Sequence, residues 1–211
     1  MPQDNTEIYT LLLDRIISLE YQPGELLNEK KLIDELEVSR TPIREALLKL
    51  SEKGFVIMVP RVGTYVSQVD LREIKYAYEV KKNLEVLACE LAAARATETQ
   101  VNSLFEIVER IETYRSQEDY REYINDDYRF RRIIREASQN PYLLNYLEEL
   151  NKKTMRFVNY VEYKLENPAW YNASLRTMAE SIRDHDSDAA GKEMKSHTEI
   201  FLNELAKRFF V

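Results

Sequence analysis

The sequence predicts a mainly α-helical chain in two parts: three helices with a β-hairpin wing, followed by an all-α antiparallel bundle of about six helices. Three observations predict it. Short apolar stripes at helical spacing recur between residues 8 and 50, separated by turn residues. β-branched and aromatic runs flank Pro60-Arg61-Val62-Gly63. After Asp70 the pattern is helical throughout, without strand alternation and with Gly191 as its only glycine.

Taken in order, Ile8, Leu12, Ile16 and Leu19 mark a first helix that Gln22-Pro23-Gly24 stops with a turn. Asn28 is a cap for a second helix, Glu29 to Leu36, with Leu32, Ile33 and Leu36 facing inward. Glu37-Val38 then makes a tight connection to a third. There Ile43, Ala46, Leu47 and Leu50 fall at i, i+3, i+4, i+7, the stripe that a short helix buries. Pro42 is tolerated only in a first turn, so either Ser39 or Thr41 caps this helix. Arg40 and Arg44, one turn apart, therefore sit at its N-terminal end, the end that a recognition helix pushes into a major groove. Lys53-Gly54 supplies a glycine for a left-handed C-cap. Phe55–Val59 and Thr64–Val66 then form a hairpin with Arg61 at its tip. The order helix, helix, helix, strand, strand is that of a winged helix-turn-helix, assigned to residues 1–69.

Residues 70–211 read as the bundle. Its helices are expected at Leu71–Ala96, Glu98–Arg115, Asp119–Ser138, Pro141 to about Leu165, Asn167-Pro168 to Arg183, and Ser187–Phe210. Long helices with such short connections pack as antiparallel neighbours.

The strings PGELLNEKKL and VSRTPIREALLKL, with the later glycine and the GTYV of the wing, resemble the DNA-binding domain of the GntR family of bacterial transcription regulators. The resemblance implies that Lys30, Arg40 and Arg44 contact bases or phosphates. It implies phosphate contacts for Ser39 and Thr41, and for Arg61 and Gly63 a wing touching the neighbouring minor groove. YEVKKNLEVLACELAAARAT, ASQNPYL and SIRDHDSDAAGKEMKSH resemble the FCD effector domain of the FadR subfamily. In that subfamily the bundle holds a metal on one aspartate and three histidines and binds a small organic acid beside it. Here Asp127 and His197 keep two of those positions, while Arg131 and Leu175 stand at the other two. A guanidinium in the first shell repels a divalent cation, so no metal cofactor is expected. An alternative keeps a metal through Asp127, His197 and a nearby Glu or Asn.

Arg131 lies four residues after Asp127 on one helix face, and this leaves two main accounts open, beside an empty or differently used pocket. In one, the pair is an internal replacement for the metal's charge. In the other, Arg131, helped by Lys81 and His197, receives the carboxylate of an effector. Lys81 stands where the family usually has arginine. Tyr78, Tyr123, Tyr128 and Tyr160 are candidates to line the same cavity.

Charge tempers the DNA-binding reading without removing it. The chain carries 30 Lys and Arg against 37 Asp and Glu, so a generally basic, nonspecific binder is excluded. Between Val38 and Arg61, however, Arg40, Arg44, Lys49, Lys53 and Arg61 face only Glu45 and Glu52. Positive charge is concentrated where DNA would lie, and affinity would be multiplied by pairing two copies.

Other classes find no support. The longest apolar run is the five residues Phe55–Val59, far short of a membrane span, and the N-terminus lacks the pattern of a signal peptide. A lone cysteine, Cys89, suits a reducing cytoplasm, and its neighbours Leu87, Ala88 and Leu91 predict a buried structural thiol. No Gly-rich phosphate loop, nucleophile elbow or Cys/His pair occurs, and Glu193 and His197 form no paired di-iron motif. Asp126-Asp127 and Glu148-Glu149 are adjacent in sequence, so their carboxylates diverge, and one of each pair is expected in solvent. The chain therefore reads as a non-enzymatic, homodimeric regulator that binds a palindromic operator on double-stranded DNA and senses a small metabolite. The alternative is a non-sensing helical module for interaction or DNA bridging.

Overall fold

A computed structural model describes residues 5–114, 119–161 and 168–209. The chain divides into two compact units: residues 1–75 with 152–163, and residues 76–151 with 164–211. The expected helix limits at Arg115, Leu165, Asn167 and Phe210 lie outside the described residues.

The first unit begins with α1 (Asn5–Ile17), β1 (Leu26–Leu27), α2 (Glu29–Leu36) and α3 (Arg40–Glu52), followed by β2 (Val56–Val59) and β3 (Gly63–Val66). Its local chemistry follows the sequence closely. The Asn28 side chain accepts a hydrogen bond from the Lys31 N–H at 3.1 Å and starts α2. Glu37 takes a left-handed conformation at φ 53° that turns the chain sharply into α3. Ser39, not Thr41, is the N-cap residue of α3, with extended backbone and no side-chain cap bond. Gly54, at φ 79°, closes α3 in the left-handed region that glycine tolerates. Ile8, Leu12 and Ile16 of α1 and Ile43, Leu47 and Leu50 of α3 are buried together in the unit's core. Full burial of such side chains supplies about 1.5–3 kcal/mol each.

The sheet holds one strand more than expected. β1 joins β3, giving the antiparallel order β1-β3-β2 with Leu26 opposite Tyr65 and Leu27 opposite Thr64. Gly63 lies opposite β1 at φ 153°, a backbone conformation that other side chains rarely adopt. Residues 152–163 complete the unit. Arg156, buried, donates to Ser67 Oγ at 2.9 Å and to the Ser67 carbonyl, and Asn159 donates to the Ile17 carbonyl at 2.7 Å.

The second unit takes in α4 (Leu71–Arg95) from Tyr76 onward, α5 (Glu98–Ile111), α6 (Tyr120–Ala137), α7 (Pro141–Tyr160) as far as Asn151, α8 (Pro168–Arg183) and α9 (Ser187–Phe209). Within it α5 packs on α6 and α8, and α8 packs on α9. Thr97 and Gln100 form a reciprocal capping box at the start of α5. Leu104, Ile111, Phe130, Ile134, Leu147, Leu175 and Met178 have no exposed surface. Cys89 is buried as expected, and burial pushes its thiol well up, away from the reactive thiolate.

At the centre of this unit lies a fully buried guanidinium. Arg135 of α6 donates to Glu85 of α4 at 2.6 Å and to Asn151 Oδ1 at 3.4 Å. Glu85 is 1% exposed, and although burial favours its neutral form, Arg135 and Lys81 hold its carboxyl below the ordinary range. Replacing one partner alone leaves the other as an uncompensated buried charge. Arg135→Met is therefore expected to lower unfolding stability by about 3–5 kcal/mol. The double variant Arg135→Met/Glu85→Met should recover most of that loss. Urea denaturation of the wild type and both variants measures the difference.

Candidate functional site

The first candidate surface is the leading half of α3. The Ile43, Ala46, Leu47 and Leu50 stripe faces the core and so turns the arginines outward: the side chains of Arg40 and Arg44 are 66% and 59% exposed. Both Nε atoms donate to one oxygen of Glu29, at 3.4 and 3.2 Å, leaving the rest of each guanidinium on the surface. Lys30, Ser39 and Thr41 are exposed around them. Arg61 occupies the wing turn at φ 64° and is exposed, whereas Gly63 is partly covered. Lys49 lies with its Nζ 4.5 Å from the centre of the Tyr9 ring.

The second candidate site lies inside the helical unit. Asp127 and Arg131 pair along α6, with Arg131 Nε 3.2 Å from each carboxylate oxygen, and Arg131 Nη1 reaches Met194 Sδ at 3.7 Å. His197 of α9 is fully buried, and its Nδ1 lies 3.0 Å from Ser174 Oγ on α8. Burial first, and the Arg131 charge second, keep its imidazole neutral, well below the usual histidine range. Ser174 in turn donates to Glu193. Lys81 of α4 is buried, donates to Asn151 Oδ1 at 2.9 Å, and has its Nζ 5.6 Å from the Tyr78 ring centre. Its amine is pushed down to about 7: burial dominates, Arg135 and Arg131 add to it, and Glu85 and Asp127 oppose it. Lys81, Asp127, Arg131 and Arg135 thus share one electrostatic neighbourhood, and Arg131 is felt in turn by His197.

The donor set does not fit a metal. Arg131 covers both oxygens of Asp127, and Leu175, at the position where the family pattern wants a histidine, is a fully buried hydrocarbon. Among the described residues no group of three or more His, Cys, Asp or Glu side chains is arranged to hold a metal ion.

Sequence reasoning missed several polar residues here. Arg135, Glu85 and Asn151 form the buried network beside Lys81, yet Glu85 and Arg135 are 50 residues apart. Asp126, taken with Asp127 as a pair of which one is in solvent, is 2% exposed. Burial alone would raise its carboxyl, but Arg110 at 2.7 and 2.8 Å and Tyr114 at 2.7 Å hold it low. Asp127 is also paired, so neither carboxylate of that couple is merely solvated. The tyrosines scatter as well. Tyr78 stays near Lys81, Tyr128 donates to Glu148 at 3.4 Å, Tyr123 packs on Tyr114, and Tyr160 is exposed.

A winged helix carrying paired exposed arginines, together with an all-helical second unit, defines a DNA-binding regulator. Residues 5–66 match the model of the bacterial regulatory proteins of the gntR family, and residues 76–199 match that of the FCD domain. The chain belongs to the gntR family and carries an FCD domain. It is 26% identical over 196 residues to the HTH-type transcriptional repressor RspR of Escherichia coli K12, covering 92% of this chain and 85% of that protein. It is 30% identical over 148 residues to the HTH-type transcriptional regulator McbR of the same organism, covering 70% and 66%. The solved structure of E. coli McbR/YncC superposes with a TM-score of 0.83 at 23% identity, over 99% of this chain and all of that one. These relatives are transcription regulators. No helix among the described residues is long and apolar enough to cross a membrane.

Lys81 supplies a pH signature. Its proton leaves near pH 7 in the folded chain and near 10.5 in the unfolded one. Between those values the unfolded chain binds one proton more, so this residue makes stability rise with pH, by at most about 1.4 kcal/mol per unit. Below pH 7 its penalty is constant, and above 10.5 it vanishes. Urea midpoints from pH 6 to 9.5 should therefore climb more steeply in the wild type than in Lys81→Met. Parallel profiles would show that Lys81 keeps its proton throughout.

Proposed function

We propose that this regulator works in the cytoplasm as a homodimer on a short palindromic operator and is tuned by a small organic acid held in the helical unit. In this reading Arg40, Arg44 and Lys30 meet base edges or phosphates, Ser39 and Thr41 meet phosphates, and Arg61 with Gly63 brings the wing to the minor groove. The observation that carries it is the projection of two guanidiniums from the first turns of α3, since the arginine fork matches O6 and N7 of guanine. Dimerisation is supported by Tyr76, Val80 and Leu87, exposed along one stripe of α4.

Lys81, Arg131, Asp127 and His197 form the effector site in this reading, with the Arg131 guanidinium receiving the carboxylate in place of a metal. The charge inventory supports an anion. Lys81, Arg131 and Arg135 stand against the buried Glu85 and the partly covered Asp127, and an amine near half-protonation gains its proton when an anion arrives. Coupling is then reciprocal: an acid that weakens operator binding is itself bound more weakly, by the same factor, on DNA.

The second reading, a helical module that interacts or bridges DNA and senses nothing, has one observation in its favour: Asp127 and Arg131 already satisfy each other. Two experiments test these readings. Arg40→Ala or Arg44→Ala should cost about 1–3 kcal/mol in operator binding and relax sequence preference. Lys49→Ala, whose ammonium rests over Tyr9, should at most reduce the salt slope. Fluorescence anisotropy on operator and scrambled duplexes reads both, and equal losses on the two duplexes would reduce the arginines to phosphate contacts. In a thermal-shift screen of hydroxy- and dicarboxylic acids and divalent metals, an acid should stabilise the wild type but not Arg131→Ala. A flat response in both favours the non-sensing module.

A further inference from the structure

Arg40 and Arg44 stand one turn apart on α3, an arrangement in which two like charges repel and two long side chains are mobile. The structure resolves this with one carboxylate. Oε2 of Glu29 accepts from Nε of Arg40 at 3.4 Å and from Nε of Arg44 at 3.2 Å. Glu29 is placed to do so. It is the first residue of α2, fixed by the Asn28 cap, and its side chain is 25% exposed against 66% and 59% for the arginines. A bond at Nε leaves the two Nη nitrogens of each guanidinium for a base edge, and these can reach guanine O6 and N7 together. A carboxylate beside a DNA-facing surface also repels phosphate, so it lowers affinity for every sequence alike.

We propose that Glu29 is a positioning residue that sets operator specificity: its carboxylate holds both recognition arginines in one orientation at the expense of general affinity for DNA. This rests on the reading that Arg40 and Arg44 touch bases. It predicts effects of opposite sign on two kinds of DNA, which neither a purely structural nor a purely electrostatic role produces.

The probe is a duplex selected by the wild-type protein from a randomised library, compared with a scrambled duplex of the same length and composition. Glu29→Ala should bind the scrambled duplex several-fold more tightly and the selected one more weakly, lowering the ratio of the two affinities roughly tenfold. Glu29→Asp keeps the charge but withdraws it by one methylene, and should lower the ratio without tightening the scrambled complex. On the Arg40→Ala/Arg44→Ala background, Glu29→Ala should lower the ratio no further, because the residue acts through those side chains. Thermal melts confirm that each variant is folded.

Any of three results for Glu29→Ala overturns the proposal. An unchanged ratio in Glu29→Ala, with both affinities rising together, makes Glu29 a mere charge. A parallel fall of both affinities makes it a structural support. A full additional loss on the double-arginine background shows that it works by another route. If the double-arginine variant keeps the wild-type ratio, the base-reading assignment fails and this proposal fails with it; if it loses the ratio while Glu29→Ala does not, only this proposal fails.

Discussion

The burial of Arg135 is the constraint around which the polar interior of the helical unit is arranged. A guanidinium cannot shed its charge at any accessible pH, so its desolvation must be met by fixed partners. Glu85 from α4 and Asn151 from α7 meet it, with Glu148 3.7 Å away, and α4 and α7 are thereby tied to α6. Lys81 enters the same network on worse terms. It shares the Asn151 oxygen with Arg135 and feels the guanidinium charge at close range. Of the two cations the lysine is the one able to give up its proton, so the cost of burying it, to which Arg135 and Arg131 add, appears as a lowered amine and not as a broken pair.

The fold was legible where the determinants are local. Asn28 as a cap, Gly54 as a stop, the stripe from Ile43 to Leu50 and the hairpin around Arg61 each act within a few residues, so their spacing is printed in the chain. β1 was not legible because two residues carry no periodicity. The pairing of Asp127 with Arg131 could be read from a four-residue interval. The Glu85–Arg135 pair spans 50 residues and has no such interval. In the sequence Arg135 is one more arginine in a charged stretch, and only tertiary packing distinguishes it from the exposed Arg132 three residues earlier.

The packing of residues 152–163 with the first unit was invisible for the same reason. It depends on Arg156 meeting Ser67 and on Asn159 meeting the carbonyl of Ile17, contacts between segments 89 and 142 residues apart. Ser67 is a hub: its hydroxyl shares its one proton between the Gly54 and Phe55 carbonyls while accepting from Arg156. A buried arginine that serves two acceptors of one residue is a local clamp, and burial lowers its guanidinium from the ordinary value. Arg135 and Arg156 therefore represent two ways of keeping a guanidinium out of water, one matched by charge and one by dipoles.

The same chemical pair does different work in the two units because the dielectric differs. At about 4 Å, opposite charges gain only about 1 kcal/mol in bulk water and several times that at the effective dielectric of a protein. Glu29 with Arg40 and Arg44 lies at the surface, where it adds little to stability, and the value proposed for it is geometric. Asp127 with Arg131 is mostly covered and Glu85 with Arg135 wholly so. There, removing one partner is costly, and an incoming anion must offer at least what the resident carboxylate already provides. An effector that uses Arg131 must therefore share the guanidinium with Asp127 or displace it, and either event alters α6, the helix that also carries Arg135. The effector site proposed at Arg131 would thus be wired into the bundle's own ion pairs, and its occupancy would shift the charge balance of the core.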